Sequence, residues 1–389
     1  MSARRGYVSP VSLTVIPAGL AALSLGLGVW QWLAARRFPL HQRTGNPTFT
    51  PAISVLKPLR GCDAETEGCL RSWFKQDYPA PVQLLFCVAA ADDPVCPLVE
   101  RLLKHFPEVE GQLVICPEML GASAKVSKLA HLEKLAAHEL LVISDADVWV
   151  PPDFLRHAVA PLQDTTVGLV NCFYQLANPQ NLPMRCEAVA INGDFWSQVL
   201  QSLTLKPMDF ALGAAMLTRR ANLREIGGFA SLVNHLADDY ELGQRISRKG
   251  HRIELSPLVV ECRERVLNWH DVWLHQLRWA RTIRVCQPVP YFFSILSNGT
   301  LWPLLLLAAS RSSLSLAFVA LCLGLRMAAA LHLQARLTRS RAHLMYDWLV
   351  LLKDLLQIGL WAAAFIGHEV TWRGRRYRVA KDGTLSLLN

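Results

Sequence analysis

The chain has 389 residues, of which 52% are hydrophobic and only 18% are charged. This balance is too apolar for a soluble domain of average composition, so we expect membrane segments in addition to one sizeable folded domain. The formal net charge of +9 is modest, and the basic residues gather beside apolar stretches, as residues that contact lipid headgroups do. Basic and aromatic residues are not interleaved, so we expect no nucleic-acid partner.

The ten cysteines occur singly, without a C-x-x-C pair. This spacing indicates neither a zinc site nor a disulfide framework. Unpaired thiols are typical of a reducing compartment, so the folded domain is expected to face the cytoplasm.

Residues 1–37 are predicted to contain an uncleaved signal-anchor helix. The apolar run over 11–33 is long enough to cross a hydrocarbon core of about 30 Å, and it is longer than the core of a cleavable signal peptide. Arg36 and Arg37 follow it directly, which favours a cytoplasmic position for the chain that follows. Residues 38–52 are polar and rich in turn formers, and they are interpreted as a linker.

Residues 53–271 are predicted to form an α/β domain. Short apolar strands at 53–56, 82–91, 112–116 and 140–144 alternate with helical patterns at 66–74, 98–106 and 127–138. This alternation predicts a parallel sheet with helices on both faces. Ligands of such sheets bind at the carboxyl ends of the strands. Four acids follow strands there: Asp92, Asp93, Asp145 and Asp147.

The rest of the chain is predicted to return to the membrane. Residues 272–287 have an apolar and a basic side, as in an interfacial amphipathic helix. Residues 288–368 contain apolar runs at 301–309, 314–333 and 348–366, which predict two to three membrane-spanning segments. Residues 369–389 form a basic tail.

Asp145-Ala146-Asp147 is the strongest single chemical motif. Two carboxylates one residue apart, just after a buried strand, can direct oxygen ligands at a hard divalent cation such as Mg²⁺ or Mn²⁺. A solvated turn is the alternative for an isolated D-x-D.

The chain resembles glycosyltransferase family 21, the ceramide glucosyltransferases and their bacterial relatives that glycosylate lipids such as hopanoids. Seven segments carry the resemblance in the family's order: SVLKPLRG (54–61), QDYP (76–79), DAD (145–147), GGF (227–229), ADDYELG (237–243), RWART (278–282) and WRGRRY (372–377). The resemblance implies a Rossmann-like GT-A fold, a UDP-sugar donor, and an inverting hexosyl transfer to a lipid hydroxyl at a phospholipid bilayer.

The resemblance also implies site residues. Asp145 and Asp147 match the D-x-D that holds the metal and the nucleotide diphosphate, and Asp239 matches the presumed catalytic base. Arg278 and Trp279 match the end of the Q/R-x-x-R-W motif on the diphosphate and acceptor side, while its first position is His275.

Further residues complete the donor side. Ala90 stands where the family usually has an acid, so Asp92 and Asp93 are the candidates for the uridine contact. Lys57 lies in the first matching segment. Lys125 precedes the helix predicted from 127 and can meet a phosphate, although a solvated lysine is as good an interpretation.

The chemistry requires such groups independently of the resemblance. An inverting transfer needs a base on the face opposite the leaving group, and the charge of Asp238 can raise the pKa of Asp239. A cation at Asp147, together with Arg278, can stabilise the departing diphosphate.

Several alternatives stay open. Glucose is the first choice of sugar, and a hopanoid acceptor with UDP-N-acetylglucosamine is the runner-up. The alternative of another class is a nucleotide-binding transport or scaffold protein, for which the spans offer one acid, Asp354, near neither a second acid nor a repeat. The expected location is a bacterial inner membrane with the catalytic domain in the cytoplasm. The sequence leaves the oligomeric state open.

Overall fold

The computed structural model describes residues 10–43, 48–372, 375–380 and 382–388. The chain forms two compact units, and each is assembled from three separate stretches. The helical unit takes its described residues from Met1–Phe38, Asn181–Thr204 and Trp269–Gly367. The sheet unit takes its described residues from Pro39–Gln180, Leu205–Asn268 and His368–Asn389.

The elements are numbered in chain order. The strands are β1 (Ile53–Pro58), β2 (Val82–Val88), β3 (Glu110–Ile115), β4 (Leu140–Ser144), β5 (Val148–Trp149), β6 (Val167–Leu176), β7 (Ala215–Arg219), β8 (Arg252–Cys262), β9 (Glu369–Trp372), β10 (Arg375–Val379) and β11 (Leu385–Leu387). The α-helices are α1 (Pro10–Arg37), α2 (Thr66–Phe74), α3 (Cys96–His105), α4 (Ala124–Leu135), α5 (Phe154–Ala158), α6 (Leu182–Val189), α7 (Trp196–Leu203), α8 (Arg220–Glu225), α9 (Asp238–Arg248), α10 (Trp269–Cys286), α11 (Pro288–Phe293), α12 (Leu301–Ala309), α13 (Ser313–Thr338) and α14 (Leu349–Ala364).

The main sheet is mixed, with the strand order β3-β2-β1-β4-β7-β6-β8-β5. Strands β3, β2, β1 and β4 are parallel, and β1 and β4 are buried throughout, as a sheet covered on both faces requires. Strand β7 is antiparallel to β4 and β6, and β5 is antiparallel to β8. The parallel sheet predicted from the first four strands is therefore confirmed for β1 to β4. Beyond β4 the sheet is mixed, because β7 and β5 are antiparallel to their neighbours while β6 is parallel to β8.

Helix α2 shows how the predicted helices anchor the sheet near its carboxyl edge. Its apolar residues recur at helical spacing and are buried. The indole of Trp73 donates a hydrogen bond to the carbonyl of Val148 at 3.1 Å, and Phe74 stacks on Phe86 of β2 at a centroid distance of 5.8 Å. Helix α2 therefore holds the segment just after Asp147.

The predicted basic tail contains regular structure. Strands β9, β10 and β11 form an antiparallel sheet in the order β11-β10-β9. The amide of Leu385 donates to the carbonyl of Asn234 at 2.7 Å, and the amide of Leu236 donates to the carbonyl of Gly383 at 3.0 Å. This small sheet is thereby hydrogen-bonded to the segment that enters α9.

The helical unit contains two helices long and apolar enough to cross a membrane among the described residues. They cover Thr14–Arg37 and Ser313–Thr338, and a third span results if Pro288–Ser297 and Leu301–Ala309, bent by 48°, act as one. Helix α14 has 16 residues, or about 24 Å. It is shorter than a hydrocarbon core of about 30 Å and shorter than the apolar run predicted there.

Residues 181–204 lie inside the predicted 53–271 domain along the chain, but they belong to the helical unit. They form α6, a π-helix at Ala190–Phe195, and α7. Asn181 caps the N-terminus of α6, and its side chain accepts a hydrogen bond from the Met184 amide at 3.1 Å. An asparagine cap followed by a proline in the first turn is a favoured way to start a helix. The domain boundaries drawn from the sequence stay predictions.

Candidate active site

The sheet unit gathers acids and lysines at the carboxyl ends of β1 and β4 and at the N-terminus of α9. Lys125, in the first turn of α4, connects them. Its ammonium lies 2.8 Å from Oδ1 of Asp145 and 3.2 Å from Oδ2 of Asp238. The strand ends of an α/β sheet are the expected place for such a group of side chains.

The D-x-D segment is held by backbone contacts on both sides. The amide of Asp145 donates to the carbonyl of Ala214 at 3.2 Å, and the carbonyl of Asp147 accepts from the amide of Arg263 at 2.9 Å. Both aspartates are half-buried. The turn that carries the two carboxylates is therefore fixed by backbone hydrogen bonds on both sides. Carboxylate oxygens are the ligands that hard divalent cations prefer, so these residues fit such a cation.

Lys57 lies directly beneath this turn. Its side chain is fully buried, and its ammonium donates to the carbonyl of Asp145 at 2.7 Å and to the hydroxyl of Ser144 at 3.1 Å. The same ammonium lies 4.6 Å from the centroid of the Trp73 ring. Burial lowers the pKa of Lys57 to about 8, although nearby carboxylates oppose this effect. These contacts make Lys57 a support of the D-x-D turn, and its predicted contact with the donor stays a prediction.

Lys125 is mostly buried, with 17% of its side chain exposed. Burial disfavours its charged form, but the carboxylates of Asp145, Asp238 and Asp239 outweigh that effect and raise its pKa. Lys125 therefore remains an ammonium at neutral pH, shared between the D-x-D turn and the acids of α9. The sequence predicted a phosphate contact for Lys125 but not its pairing with Asp238, because the two residues are 113 positions apart.

Asp239 has the features of a general base. Its Oδ1 accepts a hydrogen bond from the amide of Tyr240 at 2.8 Å. Its Oδ2 packs so closely on Gly213 that a Cβ there would lie 2.7 Å from the oxygen. Burial and the neighbouring Asp238 carboxylate raise the pKa of Asp239 to about 6, which is suited to taking up a proton near neutral pH.

The loop before α9 depends on a glycine pair. Gly227 and Gly228 have φ of 90° and 67°, a conformation that residues with a side chain rarely adopt. A Cβ on Gly228 would lie 2.9 Å from a carboxylate oxygen of Glu133, and that oxygen accepts a hydrogen bond from the Phe229 amide at 2.9 Å. Glu133 on α4 thus fixes the GGF segment, a role that the sequence analysis missed.

Asp92 and Asp93 follow β2 as predicted, and they differ in surroundings. Asp93 accepts hydrogen bonds from the amides of Gly61 at 2.9 Å and Val95 at 3.1 Å, so it ties the loop after β1 to the start of α3. Asp92 is exposed. Which of the two contacts a nucleotide stays a prediction, and exposure favours Asp92.

His275, Arg278 and Trp279 lie on α10 in the helical unit. Nδ1 of His275 lies 2.7 Å from a carboxylate oxygen of Glu187, and Gln276 donates to the same oxygen at 2.8 Å. The rings of His275 and Trp279 meet edge to face at 5.4 Å. The carbonyl of Arg278 accepts a hydrogen bond from the Thr282 hydroxyl at 2.8 Å. His275 and Trp279 are therefore neighbours on one side of α10.

The helical unit also buries acids that were not among the predicted site residues. Glu187 is one of them, with 1% of its side chain exposed. The expectation that Asp354 is near no second acid is wrong, because Arg326 is paired with both Asp354 and Asp194 at 2.8 Å. The signal was present as single charges within apolar segments, which membrane proteins keep mainly for function.

Known proteins similar to this chain are sugar transferases. Ceramide glucosyltransferase 3 of Caenorhabditis elegans is 23% identical over 227 residues, which are 58% of this chain and 49% of the relative. The ceramide glucosyltransferase of Komagataella phaffii (strain GS115 / ATCC 20864) is 31% identical over 131 residues, which are 33% of this chain and 26% of the relative. The chain thus spans about half the length, or less, of these curated relatives.

The fold and the family are both supported over most of the chain. A mannosyltransferase of Pyrobaculum calidifontis, solved in complex with GDP-Man and Mn²⁺, is 23% identical and covers 89% of this chain and 99% of its own, with a TM-score of 0.52. This likeness confirms the predicted GT-A fold. The profile of glycosyl transferase family 21 matches residues 16–385. The chain therefore belongs to glycosyltransferase family 21.

Proposed function

We propose that this chain transfers a single sugar from a UDP-sugar to a hydroxyl group of a membrane lipid, with inversion at the anomeric carbon. Glucose is the proposed sugar, because both curated relatives described above are named ceramide glucosyltransferases. The observation that carries the proposal is Asp239. This half-buried acid has a pKa of about 6 and belongs to the same charged cluster as the D-x-D turn.

Asp239 supplies the base that an inverting transfer requires. Its carboxylate accepts the proton of the lipid hydroxyl while the hydroxyl oxygen attacks the anomeric carbon from the face opposite the UDP group. A new carbon–oxygen bond forms as the bond to the diphosphate breaks, and the diphosphate leaves with the electron pair. A pKa of about 6 leaves Asp239 mostly ionised at pH 7 while making it more basic than an ordinary aspartate.

The diphosphate side needs positive charge. Asp145 and Asp147 would hold a divalent cation, Mg²⁺ or Mn²⁺, which would neutralise the negative charge of the diphosphate. Lys125 adds a permanent ammonium beside Asp145. Arg278 and Trp279 are proposed to serve the diphosphate and the acceptor, a role that rests on the family motif.

We also propose an inner-membrane location with the sheet unit in the cytoplasm. Arg36 and Arg37 end the first candidate span, and basic residues favour the cytoplasmic side. None of the ten cysteines, all of which lie in the described part of the chain, forms a disulfide, in keeping with a reducing compartment. The proposed partners are the UDP-sugar, the acceptor lipid and the bilayer.

Release of UDP tests this function. The purified chain in lipid nanodiscs is incubated with UDP-glucose and ceramide, with and without a chelator of Mg²⁺ and Mn²⁺. We expect ceramide-dependent UDP release and glucosylceramide by mass spectrometry, both lost with the chelator. Asp239→Asn is expected to abolish transfer while UDP still binds, and the exposed Asp164→Asn serves as the matched control.

The outcomes separate the competing functions. Transfer of N-acetylglucosamine to a bacteriohopanepolyol, with no transfer to ceramide, would favour the hopanoid alternative. Binding of UDP without lipid-dependent release from any UDP-sugar would favour a nucleotide-binding transport or scaffold protein. Full activity in Asp239→Asn would overturn the assignment of the base.

A further inference from the structure

The helical unit contains a partly open cavity of about 450 Å³. All of its lining residues belong to this unit, on α1, α6, α7, α10, α13, α14 and the segments between them. The lining includes several aromatic side chains: Trp32, Trp273, Trp279, Tyr291 and Trp361. A cavity of this size with a largely apolar, aromatic lining is typical of a binding site for an apolar or amphiphilic molecule.

Four charged side chains form one wall of this cavity, which we name the buried charge cluster: Asp194, Arg326, Lys353 and Asp354. Arg326 donates to both carboxylate oxygens of Asp354, at 2.8 and 2.9 Å, and to Asp194 at 2.8 Å. Lys353 pairs with Asp354 at 2.6 Å and also with Asp194. The cluster thus joins α13, α14 and the π-helix.

The surroundings hold this cluster at the cavity wall. Asp354 accepts a hydrogen bond from the Thr300 hydroxyl at 2.7 Å, and its carbonyl accepts from the side chain of Asn298 at 2.9 Å. Both partners lie at the bend between the two halves of the broken helix pair. Asp194 lies on a π-helix, a local irregularity that is frequent at functional sites.

Burying these four charges costs free energy of solvation, which indicates that they are kept for a function. Charged groups taken out of water lose favourable solvation, and well-packed apolar residues in their place often stabilise a protein as well or better. Asp354 and Lys353 expose only 3% and 6% of their side chains. Ionisable residues within membrane segments are rare, and they commonly belong to functional sites.

The balance of charge indicates what the cavity accepts. Two carboxylates and two cations make the cluster formally neutral, and both cations are paired with its carboxylates. A phosphate group would compete with these carboxylates for the same two cations and would lose its hydration. A hydroxyl or amide can donate to a carboxylate and accept from Arg326 or Lys353 without adding charge.

We propose that this cavity is the acceptor site and that it takes an uncharged amphiphile with hydroxyl or amide groups. The aromatic walls hold the apolar part, and the buried charge cluster binds the polar groups and excludes anionic phospholipids. The identity of the occupant as the acceptor rests on the proposed function. The exclusion of anionic lipids rests on the geometry of the helical unit alone.

Photo-crosslinking without any UDP-sugar tests the site. The full chain in detergent micelles is irradiated with a ceramide that carries a photoreactive, alkyne-tagged acyl chain, and in parallel with a phosphatidic acid that carries the same chain. Ala329 lines the cavity, and Ala329→Phe occupies part of it. Ala317 is an exposed residue of the same helix outside the lining, and Ala317→Phe is the matched control.

We expect ceramide to label peptides of α13 and α14 in preference to phosphatidic acid. Ala329→Phe displaces two or three methylene groups of the ligand and should lower ceramide affinity by about tenfold or more, while Ala317→Phe leaves it unchanged. Asp194→Asn removes one negative charge and should raise phosphatidic acid labelling relative to ceramide by about fivefold to tenfold. Unchanged circular dichroism and a monodisperse elution profile show that the variants are folded.

Two results would overturn the proposal: equal labelling of Ala329→Phe and Ala317→Phe, or a preference of the unmodified chain for phosphatidic acid. The readout also separates this site from the proposed function. Ceramide labelling at the cavity without sugar transfer would reject the function and leave an uncharged-lipid site standing. Sugar transfer to ceramide with a KM unaffected by Ala329→Phe would reject the cavity and leave the function standing.

Discussion

Replacing Asp239 with asparagine is expected to stabilise the folded protein as well as to abolish transfer. Burial and the Asp238 carboxylate raise the pKa of Asp239 from 3.8 to about 6. A carboxyl group that binds its proton more tightly in the folded state disfavours folding when it is ionised. Asparagine keeps the shape and can still accept the hydrogen bond from the Tyr240 amide, but it carries no charge.

The size of this effect follows from the pKa difference. The change from 3.8 to about 6 corresponds to about 3 kcal/mol of unfolding free energy. The amide group of asparagine needs a partner of its own in a half-buried position, which costs about 1 kcal/mol. About 2 kcal/mol of stabilisation remains, or an increase of about 4–8 °C in Tm for a folded unit of this size.

The dependence on pH distinguishes this mechanism from a general packing effect. The destabilisation by Asp239 in the unmodified protein is fully present above pH 6 and disappears as the pH falls through about 6 towards 3.8. Scanning fluorimetry at pH 7.5 and pH 5 should therefore show an increase in Tm that shrinks at the lower pH. Hydrogen bonds from Thr166 lower the pKa of the exposed Asp164, so Asp164→Asn should not stabilise. An unchanged Tm at pH 7.5, or an equal increase at both pH values, would refute the reasoning.

Three further changes test the contacts around the base. Lys125 lowers the pKa of Asp239, so in Lys125→Met the acidic limb of the pH profile of kcat/KM should move to higher pH. Lys57→Met removes the ammonium that supports the Asp145 carbonyl, and UDP affinity measured by calorimetry should fall by about tenfold. Deleting residues 382–389 removes backbone hydrogen bonds to the segment that enters α9, and steady-state kinetics should show a lower kcat with unchanged UDP affinity.

A control variant and three contradicting outcomes belong to these predictions. Lys134 is an exposed lysine on the same helix as Lys125, and Lys134→Met should leave the pH profile in place. An acidic limb that does not move in Lys125→Met would contradict the shared ion pairs. Unaltered UDP affinity in Lys57→Met would show that the D-x-D turn keeps its shape without the Lys57 ammonium. A normal kcat after the deletion would show that α9 does not depend on the tail.

The position of the site could be predicted from sequence because it depends on local patterns. Strands β1 and β4 contain short apolar runs and are buried throughout. Such runs favour parallel buried strands, and the carboxyl ends of parallel strands share one edge. Asp145 could therefore be named before any coordinates, whereas Asp239, in the first turn of α9, was named from the resemblance to the family. The family motifs added their roles but not their contacts.

Contacts between residues far apart in the chain could not be predicted from these local patterns. The antiparallel direction of β7, the transfer of residues 181–204 to the helical unit and the strands of the tail depend on tertiary pairing that no local period encodes. The partners Asp194 and Arg326 are 132 residues apart. A single charge within an apolar segment can be recognised from the sequence as costly to bury, but the sequence does not show which distant residue pairs with it.

The charges around Lys125 explain why a cation is expected at this site. Four carboxylates lie near Lys57 and Lys125: Asp145, Asp147, Asp238 and Asp239. The two ammonium groups balance half of the formal charge, and the remaining repulsion is one cause of the raised pKa of Asp239. A divalent cation at the D-x-D turn would match the other half, and its field would lower the pKa of Asp239. The acidic limb of the UDP-release profile should therefore move to lower pH as the Mn²⁺ concentration is raised, whereas a cation that binds only together with UDP and away from these acids would leave the limb unmoved.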